Sequence, residues 1–80
     1  MPDIILLNQK AIKFAINGQW QEAVSVNLAI LKLEPKNINA LLRLAKAYTY
    51  LNKVNLAKRY YHQVLQEDKY WNMILRHKNG

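Results

Sequence analysis

The stretch Ala11-Ile12-Lys13-Phe14-Ala15-Ile16-Asn17-Gly18-Gln19-Trp20-Gln21-Glu22-Ala23 decides the fold, because one helix ends inside it and another begins. Upstream, Ile4, Leu7, Ala11 and Phe14 recur in a 3-4-3 rhythm, which is one face of an amphipathic helix. Asp3 suits the N-cap of that helix, since its carboxylate accepts backbone N–H groups and complements the positive end of the helix dipole. Asn17-Gly18 predicts the stop, because glycine enters the left-handed conformation that closes many helices. Downstream, a second helix starts near Gln19. Trp20, Ala23, Val24, Ile30 and Leu31 give it an apolar face, and Pro35 ends it.

A shift of 34 residues then repeats the pattern. Asn37 caps a third helix with Ile38, Leu41, Ala45 and Tyr48, and Asn52 stands where Gly18 stood. A fourth helix follows with Val54, Ala57, Tyr61, Val64 and Leu65. Ile4 aligns with Ile38, Leu7 with Leu41, Ala11 with Ala45, Ala23 with Ala57 and Leu31 with Leu65. Overall identity between the halves is low. Agreement falls on the small and large apolar residues of the packing faces, which marks an internal repeat. The segment Tyr70 to Lys78 reads as a short closing helix, with Trp71, Ile74 and Leu75 as its apolar edge.

These residues resemble the tetratricopeptide repeat, a 34-residue pair of antiparallel helices. The match in unit one is Ala11, Phe14, Gly18-Gln19-Trp20-Gln21-Glu22-Ala23 and Ile30-Leu31-Lys32-Leu33-Glu34-Pro35. Unit two offers Leu41, Leu44-Ala45, Tyr48, Asn52, Ala57, Tyr61 and Val64-Leu65. The resemblance implies an all-α fold of stacked helix hairpins wound into a right-handed superhelix. It divides the single domain 1–80 into repeat one at 4–37, repeat two at 38–71 and a C-terminal cap helix at 72–78. Ala11, Ala23, Ala45 and Ala57 are expected where helix backbones approach closely, and Phe14, Trp20, Tyr48 and Tyr61 where gaps need filling. Asn27 departs from the family by standing where a large aromatic is usual, and Lys69 replaces the second closing proline. Two full units are present where about three usually secure stability, so a partner or further chain belongs to the expectation.

Composition narrows the chemistry. Eighty residues that are 51% hydrophobic suffice for one small core, and two Gly with two Pro agree with long helices. No cysteine removes disulfides, thiolate metal sites and thiol nucleophiles together, and with no leader or spanning stretch apparent it favours a cytoplasmic setting. His62 and His77 have no carboxylate three or four residues away, and Glu67-Asp68 cannot converge from adjacent helical positions. Phosphate loops and the HExxH and GxSxG patterns are missing as well. The expectation is a non-enzyme without metal or cofactor.

Binding remains. By resemblance, a concave groove is lined by the first helix of each pair: Ile5, Asn8, Ile12 and Ile16, then Asn39, Leu42, Arg43, Lys46, Thr49 and Tyr50. Such a mixture, apolar with a cationic patch, suits a peptide or helix of a partner protein with apolar anchors and an acidic group steered by Arg43 and Lys46. A chaperone-tail clamp, at Asn8, Ile12, Arg43, Met73 and His77, is not expected, since only Arg43 there is cationic as the clamp needs. Self-association through the same apolar faces is the alternative reading. A third is nucleic acid, motivated by the net charge of +7 and by Lys53, Lys58 and Arg59 beside Tyr60, Tyr61 and His62. The plainer account of that basic run is a solvated helix face with Tyr61 in the core.

Overall fold

The computed structural model describes residues 3–69 and residue 73. Four helices follow one another: α1 (Ile4–Ile16), α2 (Trp20–Leu33), α3 (Ile38–Tyr50) and α4 (Val54–Glu67). Each packs on the next, α1 on α2, α2 on α3 and α3 on α4. The fold of the described residues is all-α. The expected closing helix, 72–78, lies outside them apart from Met73.

Local signals act as the residue types require. Asp3 Oδ1 accepts the Ile5 N–H at 2.9 Å and opens α1, while Asn37 Oδ1 accepts the Ala40 N–H at 2.9 Å and opens α3. Asn37 also uses Nδ2 to donate to Glu34 Oε1 at 2.7 Å, which fixes the turn between α2 and α3. Gly18 and Asn52 take φ of 71° and 62°. At the first turn Gly18 N–H donates to Ala15 O at 3.1 Å and Gln19 N–H to Phe14 O at 2.8 Å. At the second, Asn52 N–H donates to Thr49 O at 3.1 Å and Lys53 N–H to Tyr48 O at 2.8 Å. Both are the left-handed closure in which two orphan carbonyls find donors past the helix end. The pattern is the same bond for bond at a 34-residue offset. The ends of α2 and α4 repeat too, with Glu34 N–H on Ile30 O and Asp68 N–H on Val64 O, each 2.8 Å.

These turns carry a prediction. A Cβ added at Gly18 meets nothing within 4 Å, so Gly18→Ala costs only backbone strain, about 1–2 kcal/mol. Asn52→Gly relieves the milder strain of an asparagine and should gain roughly 0.5 kcal/mol. Urea melts of the two variants should move in opposite directions. Equal shifts of one sign would remove the left-handed closure as the cause.

Small residues bring the helices together. Ala11 of α1, Ile30 of α2 and Ala40 of α3 meet in one fully buried cluster, with Ile4, Leu7, Val26 and Leu31 packed around it. Ala23, Ala45 and Ala57 are buried as expected. α3 buries Ala40, Leu41, Leu44, Ala45 and Ala47, whereas α1 fully buries only Ala11. The asymmetry follows from position, because α3 has a helix on both flanks and α1 packs on α2. Lys10 and Lys13, the counterparts of Leu44 and Ala47, are accordingly exposed.

Two expectations about side chains resolve differently. Asn27 is fully buried, as a core polar residue, and its Nδ2 donates to Ala23 O at 2.8 Å. Its Oδ1 is buried with no hydrogen-bond donor among the described residues. Tyr61, expected to fill the core, is instead 44% exposed. It occupies the position of Asn27 one repeat later, and α4 is the last of the described helices, so none of the described helices follows to cover it. The ring that packs there is Tyr60, stacked on Tyr48 at 5.7 Å between centroids.

Candidate binding face

Helical phase divides α1 sharply. Ala11 points into the core, with Leu7 and Phe14 half-buried beside it. Ile5, Ile12 and Ile16 recur on the other side and are 65%, 47% and 78% exposed. Three β-branched residues thus stand in line on a largely solvated face of α1. An exposed apolar stripe of this kind is a candidate contact surface.

The corresponding face of α3 is different in chemistry. Asn39, Lys46 and Tyr50 stand one repeat after Ile5, Ile12 and Ile16, and Arg43 one repeat after Gln9. Asn39 and Lys46 are exposed, while Leu42 and Arg43 are half-buried. Arg43 Nη1 donates to Asn8 Oδ1 at 2.9 Å, a bond that ties α1 to α3 across the repeat boundary. Burial lowers the pKa of the Arg43 guanidinium from its ordinary value. Thr49 turns its hydroxyl back to donate to Ala45 O at 2.8 Å, which commits its proton to its own helix.

Tyr50 has a structural task that its spacing did not reveal. Its ring lies flat on Trp20, with centroids 4.4 Å apart and planes within 5°. The pair clamps the end of α3 to the start of α2, yet leaves Tyr50 59% exposed. Of the ten residues expected in a groove, the structure therefore brings Asn8 and Arg43 into contact. It leaves Ile5, Ile12, Ile16, Asn39 and Lys46 open, half-buries Leu42, and gives Thr49 and Tyr50 intramolecular partners.

The basic run on α4 is less organised. Lys58 and Arg59 are exposed, and Tyr60 is occupied by Tyr48 rather than presented to solvent. Burial, with Tyr60 adding, raises the pKa of the Tyr48 phenol and favours its neutral form. His62 Nε2 lies 3.3 Å from Gln66 Nε2, a local contact along the helix. No group of three metal-ligating side chains occurs among the described residues, and no described helix is long and apolar enough to cross a membrane. Compared with known proteins, the chain matches no family model, no curated protein and no solved structure.

Proposed function

We propose that this chain is a non-enzymatic, cytoplasmic protein-binding module, two tetratricopeptide-like hairpins that hold a peptide or helix of a partner against α1 and α3. The observation that carries the reading is the exposed line of Ile5, Ile12 and Ile16, continued across the Asn8–Arg43 bridge onto α3. The repeat of hairpin hydrogen bonds at a 34-residue offset supports the kinship of the two units. Right-handed superhelical stacking is the arrangement in which such units share their apolar faces.

Affinity would come from a few apolar side chains buried on the isoleucines. A photo-crosslinking residue, p-benzoylphenylalanine, placed at Ile12 should capture a discrete protein in extract of the producing cells. The same group at exposed His62 on α4 should capture none, and Ile16→Asp should abolish the adduct at position 12. Adducts from position 62 with none from position 12 would move the interface off α1.

Self-association is a second reading, favoured by one observation. Val54 and Tyr61 are 56% and 44% exposed, although their unit-one counterparts Trp20 and Asn27 are partly and fully covered. A second copy stacked on α4 would cover them. Sedimentation decides: mass rising with concentration, and reverting with Tyr61→Asp, would favour this reading over the first.

A further inference from the structure

Charge is segregated between the helices. α1 carries Lys10 and Lys13 and α3 carries Arg43 and Lys46, and neither contains an acidic residue. Asp3, Glu22, Glu34, Glu67 and Asp68 all lie at helix caps or on α2 and α4. The candidate face is thus apolar on α1 and cationic on α3. A second copy of this chain would bring like charges together there, with +7 on each.

Arg43 stands at the centre of this arrangement. Asn8 accepts from Nη1 at 2.9 Å, and among the described residues no carboxylate pairs with the guanidinium. Asn8 is neutral, so it orients Arg43 without neutralising it. Of the five N–H donors of an arginine, the others have no hydrogen-bond partner among the described residues, in the planar fork that suits a carboxylate. A half-buried cation gains more from an anionic partner than a fully solvated one, because less water screens the pair.

We propose that the occupant of this face is an acidic amphipathic segment of another protein. Its apolar side chains lie on Ile5, Ile12 and Ile16, and an internal Asp or Glu side chain pairs with Arg43. Lys46 supports the pairing from the exposed side. This rests on the reading of α1 and α3 as a binding face and adds the partner's charge and the residue that reads it. A flat anionic membrane meets the exposed lysines but does not reach a recessed guanidinium held by Asn8. RNA lacks the apolar side chains that the isoleucines would cover.

The test is selection on the full chain from a phage-displayed library of random peptides, fused so that no free C-terminus is offered. Runs at low and at raised salt separate recognition from the general attraction of a basic protein. Peptides enriched on the wild type should lose binding to Ile12→Asp. At one position, Asp or Glu should be enriched over Asn or Gln by about tenfold, the ratio of a single charge-assisted hydrogen bond. Arg43→Gln should bring that ratio near one while apolar enrichment persists, and Lys58→Gln, on exposed α4, should leave it intact. If Ile12-dependent peptides emerge with no acidic preference, or one indifferent to Arg43, the acidic-partner assignment falls and the binding face stands. If no enriched peptide depends on Ile12, both fall. Phosphatidylserine vesicles and a single-stranded RNA oligonucleotide complete the design, and Arg43-dependent binding of either in place of the peptides also overturns the proposal.

Discussion

Leu44→Ala is expected to leave the chain close to unfolding. Leu44 is wholly buried on α3, a helix with a packed neighbour on both flanks. Truncating such a leucine loses its transfer free energy and leaves a cavity, together about 2–5 kcal/mol. A chain of this size has roughly 4–12 kcal/mol in all, so the loss is a large share of the total. With a urea slope near 1 kcal/mol per molar, the midpoint should fall by about 2 M or more. Leu6→Ala is the control: Leu6 is 48% exposed, and its truncation should move the midpoint by less than half as much. Equal effects at the two sites would mean that α3 is not the centre of the core.

The second large effect has the opposite sign. Asn27→Leu should stabilise the fold, because Asn27 is fully buried and its Oδ1 has no donor among the described residues. An unsatisfied polar atom of this kind costs about 1–3 kcal/mol, and a leucine of similar branching removes it and adds apolar contact. The hydrogen bond from Nδ2 to Ala23 O is also lost. That carbonyl lies within α2, where the backbone N–H of residue 27 faces it as a helical partner, so little new penalty arises. At about 4–8 °C per kcal/mol, the melting temperature should rise by several degrees. A fall would show that Oδ1 serves a purpose in the folded chain, such as holding an internal water.

Much of the fold is legible in the sequence because local chemistry decides it. Asp3 and Asn37 have side-chain oxygens that cap, Gly18 and Asn52 tolerate positive φ, and Pro35 cannot continue a helix. The alanines at 11, 23, 45 and 57 keep their places because nothing larger fits between adjacent helices. Less legible is whatever depends on which helix lies next to which. Leu44 and Ala47 are core residues on a helix flanked by both α2 and α4, and the one sequence trace is that Lys10 and Lys13 stand at their places in unit one. Tyr61 shares the phase of buried Ala57 and Val64 yet stays exposed, since the covering helix that α2 enjoys is missing over α4 among the described elements.

The candidate face is expected from the resemblance alone, and its internal bonds are not legible in the sequence. Asn8 and Arg43 are separated by one repeat and one residue, a spacing no local rule singles out. The Trp20–Tyr50 stack likewise joins the end of one helix to the start of another. It converts a residue expected to meet a ligand into one that first holds the hairpins together. Tyr50→Ala is for that reason a poor probe of binding, and Ile12 and Arg43 are the informative positions.

The most direct measurement is a backbone amide NMR titration of the full chain with the best-enriched acidic peptide. The predicted result is shift changes running along Ile5, Asn8, Ile12 and Ile16 and across to Arg43 and Lys46, with Glu22, Lys58 and His62 still. Changes confined to α4 around Val54 and Tyr61, with α1 silent, would contradict a binding face on α1 and α3.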